Sequence, residues 1–286
     1  MKFSCIFIGP VFIGLLLFSA SINSRTNNSI LSKSDTILLR QDFKHYFDSC
    51  KVQGSITIYD NNRKKWILSD TVDTKKETLP ASTFKIINLL IALETKTIQD
   101  ENEVVKWVGS IDTVKYGYRP EIYHDMTVIE AFKASAGWIF VELAKKIGKE
   151  NYKKYLGLCE YGNLTLFQKT DDFWNFGTFG ISPVSQVKFL KDLYEEKLPF
   201  EKRNMQIVKR AMITEQKDDY TIRAKTGWTR ANGMNTGWWV GYIENSDGVY
   251  FFATRLLQDR KTNSSNFGSC RKEITNSVLK DLNIIK

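Results

Sequence analysis

Histidine is almost absent: His45 and His124 are the only two in 286 residues. No site needing three imidazoles can be built from them, and a Ser–His–Asp triad has little to draw on. Cysteine is scarce too. Cys5, Cys50, Cys159 and Cys270 stand far apart with no Cys-x-x-Cys, which removes zinc ribbons and thioredoxin-type chemistry. Five prolines leave no room for a proline-rich linker, and neither an internal repeat nor a low-complexity tract occurs. There is no glycine-rich phosphate loop and no basic patch interleaved with aromatics, so nucleotides and nucleic acid are not expected partners. The one apolar run, residues 6–18, is broken at Pro10 and falls short of the roughly 20 residues that a membrane span takes.

What is present is an ordinary globular composition, 42% hydrophobic and 26% charged, which argues against disorder. The length suits one large or two modest domains. Forty-one basic against 32 acidic residues give a net charge of +9, spread along the chain as a soluble basic surface. Lys2, the apolar run and Ser19-Ala20-Ser21 read as a secretory signal peptide over residues 1–21, which leaves 22–286 as the mature chain. That chain keeps three cysteines, an odd number for an oxidising compartment, so at least one is free or pairs between chains. Buried thiols acting as small hydrophobes are the favoured reading.

Residues 26–36 are polar and read as a loose lead-in; Leu39, Phe43, Tyr46 and Phe47 then recur at helical spacing. Residues 55–59 and 65–68, with Asn61-Asn62 between them, predict a hairpin. After Pro80 comes a nearly all-apolar helix over 84–93, to be buried on most faces. Thr127-x-x-Glu130 predicts a capping box, Gly148 ends a helix from about Trp138, and Ser182-Pro183 opens another running to about Glu195. Strand texture returns near Thr221. A hairpin over 238–244 and 249–256 follows, and Ile274, Val278 and Leu282 mark a closing helix. Strands at both ends and helices between them predict an α+β fold: one antiparallel sheet flanked by terminal helices, with an inserted all-helical part. The mixed part is expected over about 37–86 and 196–286, the helical part over about 87–195.

The sharpest chemical feature is Pro80-Ala81-Ser82-Thr83-Phe84-Lys85. Proline at a helix start places Ser82 in the first turn, where free N–H groups and the helix dipole favour developing negative charge. Lys85, three residues on, shares that helix face. Serine is a poor nucleophile until a base takes its proton, and lysine is such a base only with a depressed pKa or an altered amine. Ser-x-x-Lys alone is weak evidence in a chain rich in both residues. Lys225-Thr226-Gly227-Trp228, at the end of a strand, strengthens it. Lysine supplies charge, threonine donates to a carboxylate, and glycine lets a substrate lie along the edge. The two motifs in this order are those of penicillin-interacting serine acyltransferases.

From Val52-Gln53-Gly54 to the final helix the sequence resembles the class D β-lactamases, or oxacillinases. Ser82 lies in their nucleophile motif. Tyr161-Gly162-Asn163 matches their Tyr-Gly-Asn element, Phe173-Trp174 a pair lining the active site, and Trp238-Trp239-Val240-Gly241 the strand beside Lys-Thr-Gly. Arg271 falls where the family keeps a substrate-binding arginine. One departure stands out: the family's Ser-x-Val is here Ser135-Ala136-Gly137, so the apolar cover that valine gives the lysine is missing. Either the lysine pocket leaks or Trp138 swings inward to cover it.

The resemblance implies that Ser82 is acylated by a β-lactam. Lys85, carboxylated by carbon dioxide, would be the base in both half-reactions. Trp174 would donate to that carbamate, and the N–H groups of Ser82 and Trp228 would form the oxyanion hole. Ser135 would pass a proton to the leaving nitrogen. Lys225, Thr226, Gly227 and Arg271 would bind substrate, while Tyr161, Asn163 and Gly137 would shape the site. No metal and no other cofactor is expected. A bacterial periplasmic protein, monomer or homodimer, without stable membrane association after signal cleavage, completes the expectation. Its rivals are a β-lactam-sensing domain that acylates without turnover, a cell-wall D,D-peptidase, and a secreted non-catalytic binding protein.

Overall fold

Positions 238–243 are apolar save for one glycine, with none of the in–out alternation of a half-exposed strand. A strand so composed has to be covered on both faces. It lies near the middle of a seven-stranded sheet in a computed structural model of the chain. The structure describes Met1 and residues 35–166, 171–262 and 266–286. The expected signal segment, 1–21, lies outside the described residues except for Met1, and one compact unit runs Ser34–Lys286.

The chain enters as β1 (Thr36–Leu39), turns through α1 (Lys44–Ser49), and forms the hairpin β2 (Gln53–Asp60) and β3 (Lys65–Leu68). The 3-10 turn Ala81–Phe84 runs straight into α2 (Lys85–Glu94). The middle of the chain holds β4 (Val104–Val105), α3 (Thr113–Tyr116), β5 (Met126–Thr127), α4 (Val128–Ala134), α5 (Gly137–Ile147), α6 (Lys149–Leu158) and α7 (Pro183–Tyr194). Then come α8 (Lys202–Ala211), β6 (Ile213–Gln216), β7 (Tyr220–Ala231), β8 (Met234–Asn245), β9 (Gly248–Asp259) and α9 (Phe267–Asp281). The sheet order is β1-β3-β2-β9-β8-β7-β6, so β2, from one end of the chain, pairs antiparallel with β9 from the other.

Several local expectations hold to within a residue or two. Thr127 and Glu130 form the full capping box, Gly148 follows the last turn of α5, and Ser182 Oγ accepts the Ser185 N–H at the start of α7. Three differ. The apolar period starting at Leu39 is not helical there: Thr36–Leu39 is an edge strand that adds parallel to β3, so the sheet is mixed. Short apolar runs fit either period, and the open edge of β3 decides. The middle of the chain is not all helix, because β4 and β5 pair across it. The cysteines differ as well. Cys50 and Cys270 form a disulfide, joining the end of α1 to the first turn of α9, and are not independent buried thiols. Cys159 stays free, its thiol pushed up to about 12 by burial and secondarily by Asp192, which makes it unreactive.

One face of the sheet buries Ile56, Trp239, Phe252 and Leu256 against Phe43 and Phe47 and against Phe267, Ile274 and Val278 of α9. On β9, Arg255 is fully buried, pairs with Asp73 and donates to the carbonyls of Lys76 (2.6 Å) and Asp73 (3.2 Å). That anchor ties the segment leading to Ser82 onto the sheet.

Candidate active site

The nucleophile turn is held on three sides. Ala81 N–H donates to Trp174 O (3.0 Å), Thr83 Oγ1 donates to Pro80 O (2.8 Å), and Gln186 Nε2 donates to Thr83 Oγ1 (2.9 Å). Ala81 itself sits at φ 51°, a left-handed backbone that a side chain adopts only where its surroundings enforce it. From this turn Ser82 Oγ meets Lys85 Nζ at 2.7 Å. Lys85 is 1% exposed, and its Nζ lies 5.2 Å from the ring centre of Phe140. Burial, helped by the charge of Arg119, brings its pKa down to about 7, so a neutral amine is accessible at physiological pH.

Opposite stands the end of α4. Ser135 caps it in the left-handed conformation (φ 57°) and its Oγ accepts a hydrogen bond from Lys225 Nζ at 2.9 Å. Burial lowers the Lys225 pKa strongly, with Lys85 and Arg271 adding to the effect. The third wall is β7. Strand β6 begins at Ile213 opposite Arg223, and Ala224 N–H still donates to Met212 O (2.7 Å), so it is the edge of β7 past Ala224 that faces the nucleophile turn. A Cβ on Gly227 would stand 2.8 Å from Pro80 O and 3.2 Å from Thr83 Cγ2. The glycine assigned to substrate is therefore required first by the close approach of β7 to Ser82. Arg271, on α9, donates to Gly227 O (2.7 Å) and Gly268 O (2.8 Å), and burial lowers its pKa to about 10.

Ser82, Lys85, Ser135, Thr226, Trp228 and Arg271 line one cavity of about 580 Å³, and Gly137 and Gly227 belong to its wall. The remaining site candidates stand one layer back. Lys225 reaches it through Ser135. Trp174 is 1% exposed and stacks on Phe84 (4.9 Å), and its buried indole Nε1 has no hydrogen-bond partner among the described residues. Tyr161 is buried with its hydroxyl 3.5 Å from Gln186 Oε1, behind the nucleophile turn. Asn163 Nδ2 donates to Thr178 O, and its backbone N–H to Gly180 O, holding the segment after Trp174. Gly137 behaves differently from either expectation. A Cβ there would meet nothing within 4 Å, so its wall opens toward the cavity. Trp138 does not swing across the gap, because its indole donates to Ile122 O (2.7 Å) and packs edge-on against Trp107. Lys85 is nevertheless sealed from solvent.

Residues 111–123 supply lining that motif reading missed. Arg119 Nη2 donates to Ala134 O (3.1 Å), the carbonyl just before Ser135, and its Nε to Glu121. Lys115 pairs with the buried Asp172 (3.1 Å), which also accepts the Tyr116 hydroxyl. The acidic pair Asp171-Asp172 ahead of Phe173-Trp174 was the available signal: a carboxylate beside a buried aromatic pair needs a cation.

The model of the penicillin-binding protein transpeptidase domain matches residues 52–280. The chain is 38% identical over 240 residues to β-lactamase OXA-48 of Klebsiella pneumoniae, covering 84% of this chain and 87% of that one. A 30% match to the regulatory protein BlaR1 of Bacillus licheniformis covers 84% of this chain but 38% of that longer protein. The crystal structure of a class D β-lactamase from Sebaldella termitidis superposes with a TM-score of 0.82 at 40% identity, over 88% of this chain and all of the other. With the serine–lysine pair, the Ser135–Lys225 bridge and the strand motif on one cavity, the chain belongs to the class D serine β-lactamases.

Proposed function

We propose that the protein hydrolyses the β-lactam amide of penicillin-type antibiotics through an ester on Ser82, and so protects its host. The observation that carries the reading is the 2.7 Å contact between Ser82 Oγ and a lysine amine kept dry enough to be neutral near pH 7. As Ser82 Oγ adds to the carbonyl carbon, its proton passes to Lys85. The negative charge growing on the carbonyl oxygen is taken by the backbone N–H groups of Ser82 and Trp228, and losing one donor of such a pair costs about 3 kcal/mol. Ser135, charged through Lys225, delivers a proton to the departing ring nitrogen. Thr226 and the Arg271 fork hold the substrate carboxylate. Lys85, once it has given the first proton to the relay that protonates the ring nitrogen, accepts a proton from the water that cleaves the ester and returns it to the departing Ser82 Oγ.

The residues fit the carbamate that the family implies on Lys85. A buried neutral amine is what reacts with carbon dioxide, and the orphaned Trp174 Nε1–H is a buried donor lacking an acceptor. When formed, that group supplies an anionic base at neutral pH. Supporting a periplasmic location are the features of residues 1–21 and the disulfide, which suits an oxidising compartment. The protein acts there as a monomer or homodimer, free of the membrane.

Two measurements test this. Mixing with a penicillin gives one covalent adduct by intact mass, lost in Ser82→Ala; an adduct surviving that substitution overturns the assignment. With a chromogenic cephalosporin, turnover continues past one equivalent. A stop at one equivalent makes the protein a sensor, as the BlaR1 similarity would have it.

A further inference from the structure

Among the described residues the cavity is lined by five cationic side chains, Lys85, Lys115, Arg119, Arg230 and Arg271, and by no carboxylate. Two of the five are matched nearby: Lys115 by Asp172 and Arg119 by Glu121. Lys85 belongs to the nucleophile and Arg271 to the carboxylate of the bicyclic core. Arg230 is left over. Among the described residues it has no ion-pair partner, and it lies at the cavity wall with its guanidinium 4.8 Å from the Trp228 ring centre. Trp228 is itself fixed: its indole donates to Asn235 Oδ1 (3.1 Å) and its ring packs on Phe267. Stacking on an immobilised indole restricts Arg230 to the mouth of the cleft without consuming its hydrogen-bond donors.

Register along β7 says what reaches it. Thr226, Trp228 and Arg230 share one face of the strand, successive pairs about 7 Å apart. On the hydrolase reading the core carboxylate is held by Thr226 and Arg271, and the reacting carbonyl by the Trp228 N–H. A substrate laid along this edge carries its acyl side chain onward, past Trp228. The side-chain carbon next to the amide is roughly 5 Å from the reacting carbonyl, within reach of the Arg230 fork.

We infer that Arg230, stacked on Trp228, forms a second anion subsite that favours β-lactams bearing a carboxylate on the acyl side chain. The inference rests on the hydrolase reading above and names its substrate class. Low-dielectric walls and the lack of any lining carboxylate add a field that draws such dianions in.

Three penicillins differ only in the group on the side-chain carbon: hydrogen in benzylpenicillin, carboxylate in carbenicillin, ammonium in ampicillin. Arg230→Gln lowers kcat/KM for carbenicillin about fivefold more than for benzylpenicillin, the scale of one exposed charge pair. Arg230→Glu widens that gap and shifts preference toward ampicillin. Lys202→Gln, which removes an equal charge on α8, outside the cavity lining, leaves the ratios of the three substrates as in the parent. Equal effects of the Arg230 variants on all three substrates overturn the subsite, as does the same carbenicillin loss in Lys202→Gln. If the protein acylates without turnover, the hydrolase reading fails, and second-order acylation rates with the same three penicillins still decide the subsite by the same ratios.

Discussion

Lys85 carries the tension on which this site is built. Its pKa is lowered to about 7, chiefly by burial and next by Arg119, against an unfolded value of 10.5. A lysine whose folded pKa is depressed costs stability: the unfolded chain binds the proton more tightly, so the cost is full below pH 7 and fades between about pH 7 and 10.5. Lys85→Met is therefore expected to be inactive but more stable in carbon dioxide-free buffer at pH 6, by on the order of 3 kcal/mol, with the gain shrinking toward pH 10. Denaturant melts at the two pH values check this; a pH-independent difference refutes it. Gly137 is the second decisive residue. Its missing side chain faces open space, so Gly137→Val adds apolar cover without a clash. A valine there lines the cavity wall beside the lysine pocket, and any water it keeps from the amine favours the neutral form that carboxylation needs. The expected result is half-saturation of activity at lower bicarbonate in the variant than in the parent, with no recovery of Lys85→Ala at any concentration. Equal half-saturation would mean the seal seen around Lys85 is already complete.

At the scale of elements, the site depends on how tightly β7 is pressed onto the nucleophile turn. Gly227 permits a backbone approach that any Cβ obstructs, at 2.8 Å from Pro80 O. Gly227→Ala has to push the turn or the strand back by a few tenths of an ångström, displacing Ser82 from the Trp228 N–H. Misplacement of about 1 Å in such a site costs about 100-fold, so a tenfold or greater fall in kcat/KM is expected with little change in thermal midpoint. A variant with parental kinetics would show that the strand has slack. The same pressing explains why Ala81 tolerates its left-handed backbone: the bond from Ala81 N–H to Trp174 O and the wall of β7 leave it no alternative.

For the molecule as a whole, the sheet is closed by chain ends far apart in sequence, and the disulfide fastens them. Cys50 and Cys270 are 220 residues apart, and Cys270 adjoins Arg271. Closing a loop that long removes unfolded-state entropy worth up to about 5 kcal/mol in the chain-entropy account. The double variant Cys50→Ala/Cys270→Ala should melt well below the parent. It should also show a raised KM for penicillins, because α9 then holds Arg271 less firmly against Gly227 O. An unchanged melting temperature would mean that packing of α9 on β8 and β9 suffices alone.

Much of this is legible in the sequence. Thr127 with Glu130, Ser182 with Pro183, and the apolar run at 238–243 act over one or two turns or one strand, so local chemistry determined those elements. Ser82 and Lys85 are three residues apart on one helical face, and their meeting needed no more than that turn. The sequence could not place Leu39 in a strand, because the edge of β3 that it joins is decided by the assembled sheet. It could not pair Cys50 with Cys270, nor show that Gly227 yields to Pro80 before it yields to substrate, because each is a contact across most of the chain. Arg230 carried no motif. Its meaning comes only from a cavity whose other cations are spoken for, and charge balance within a cavity is a property of three-dimensional neighbours, not of sequence order.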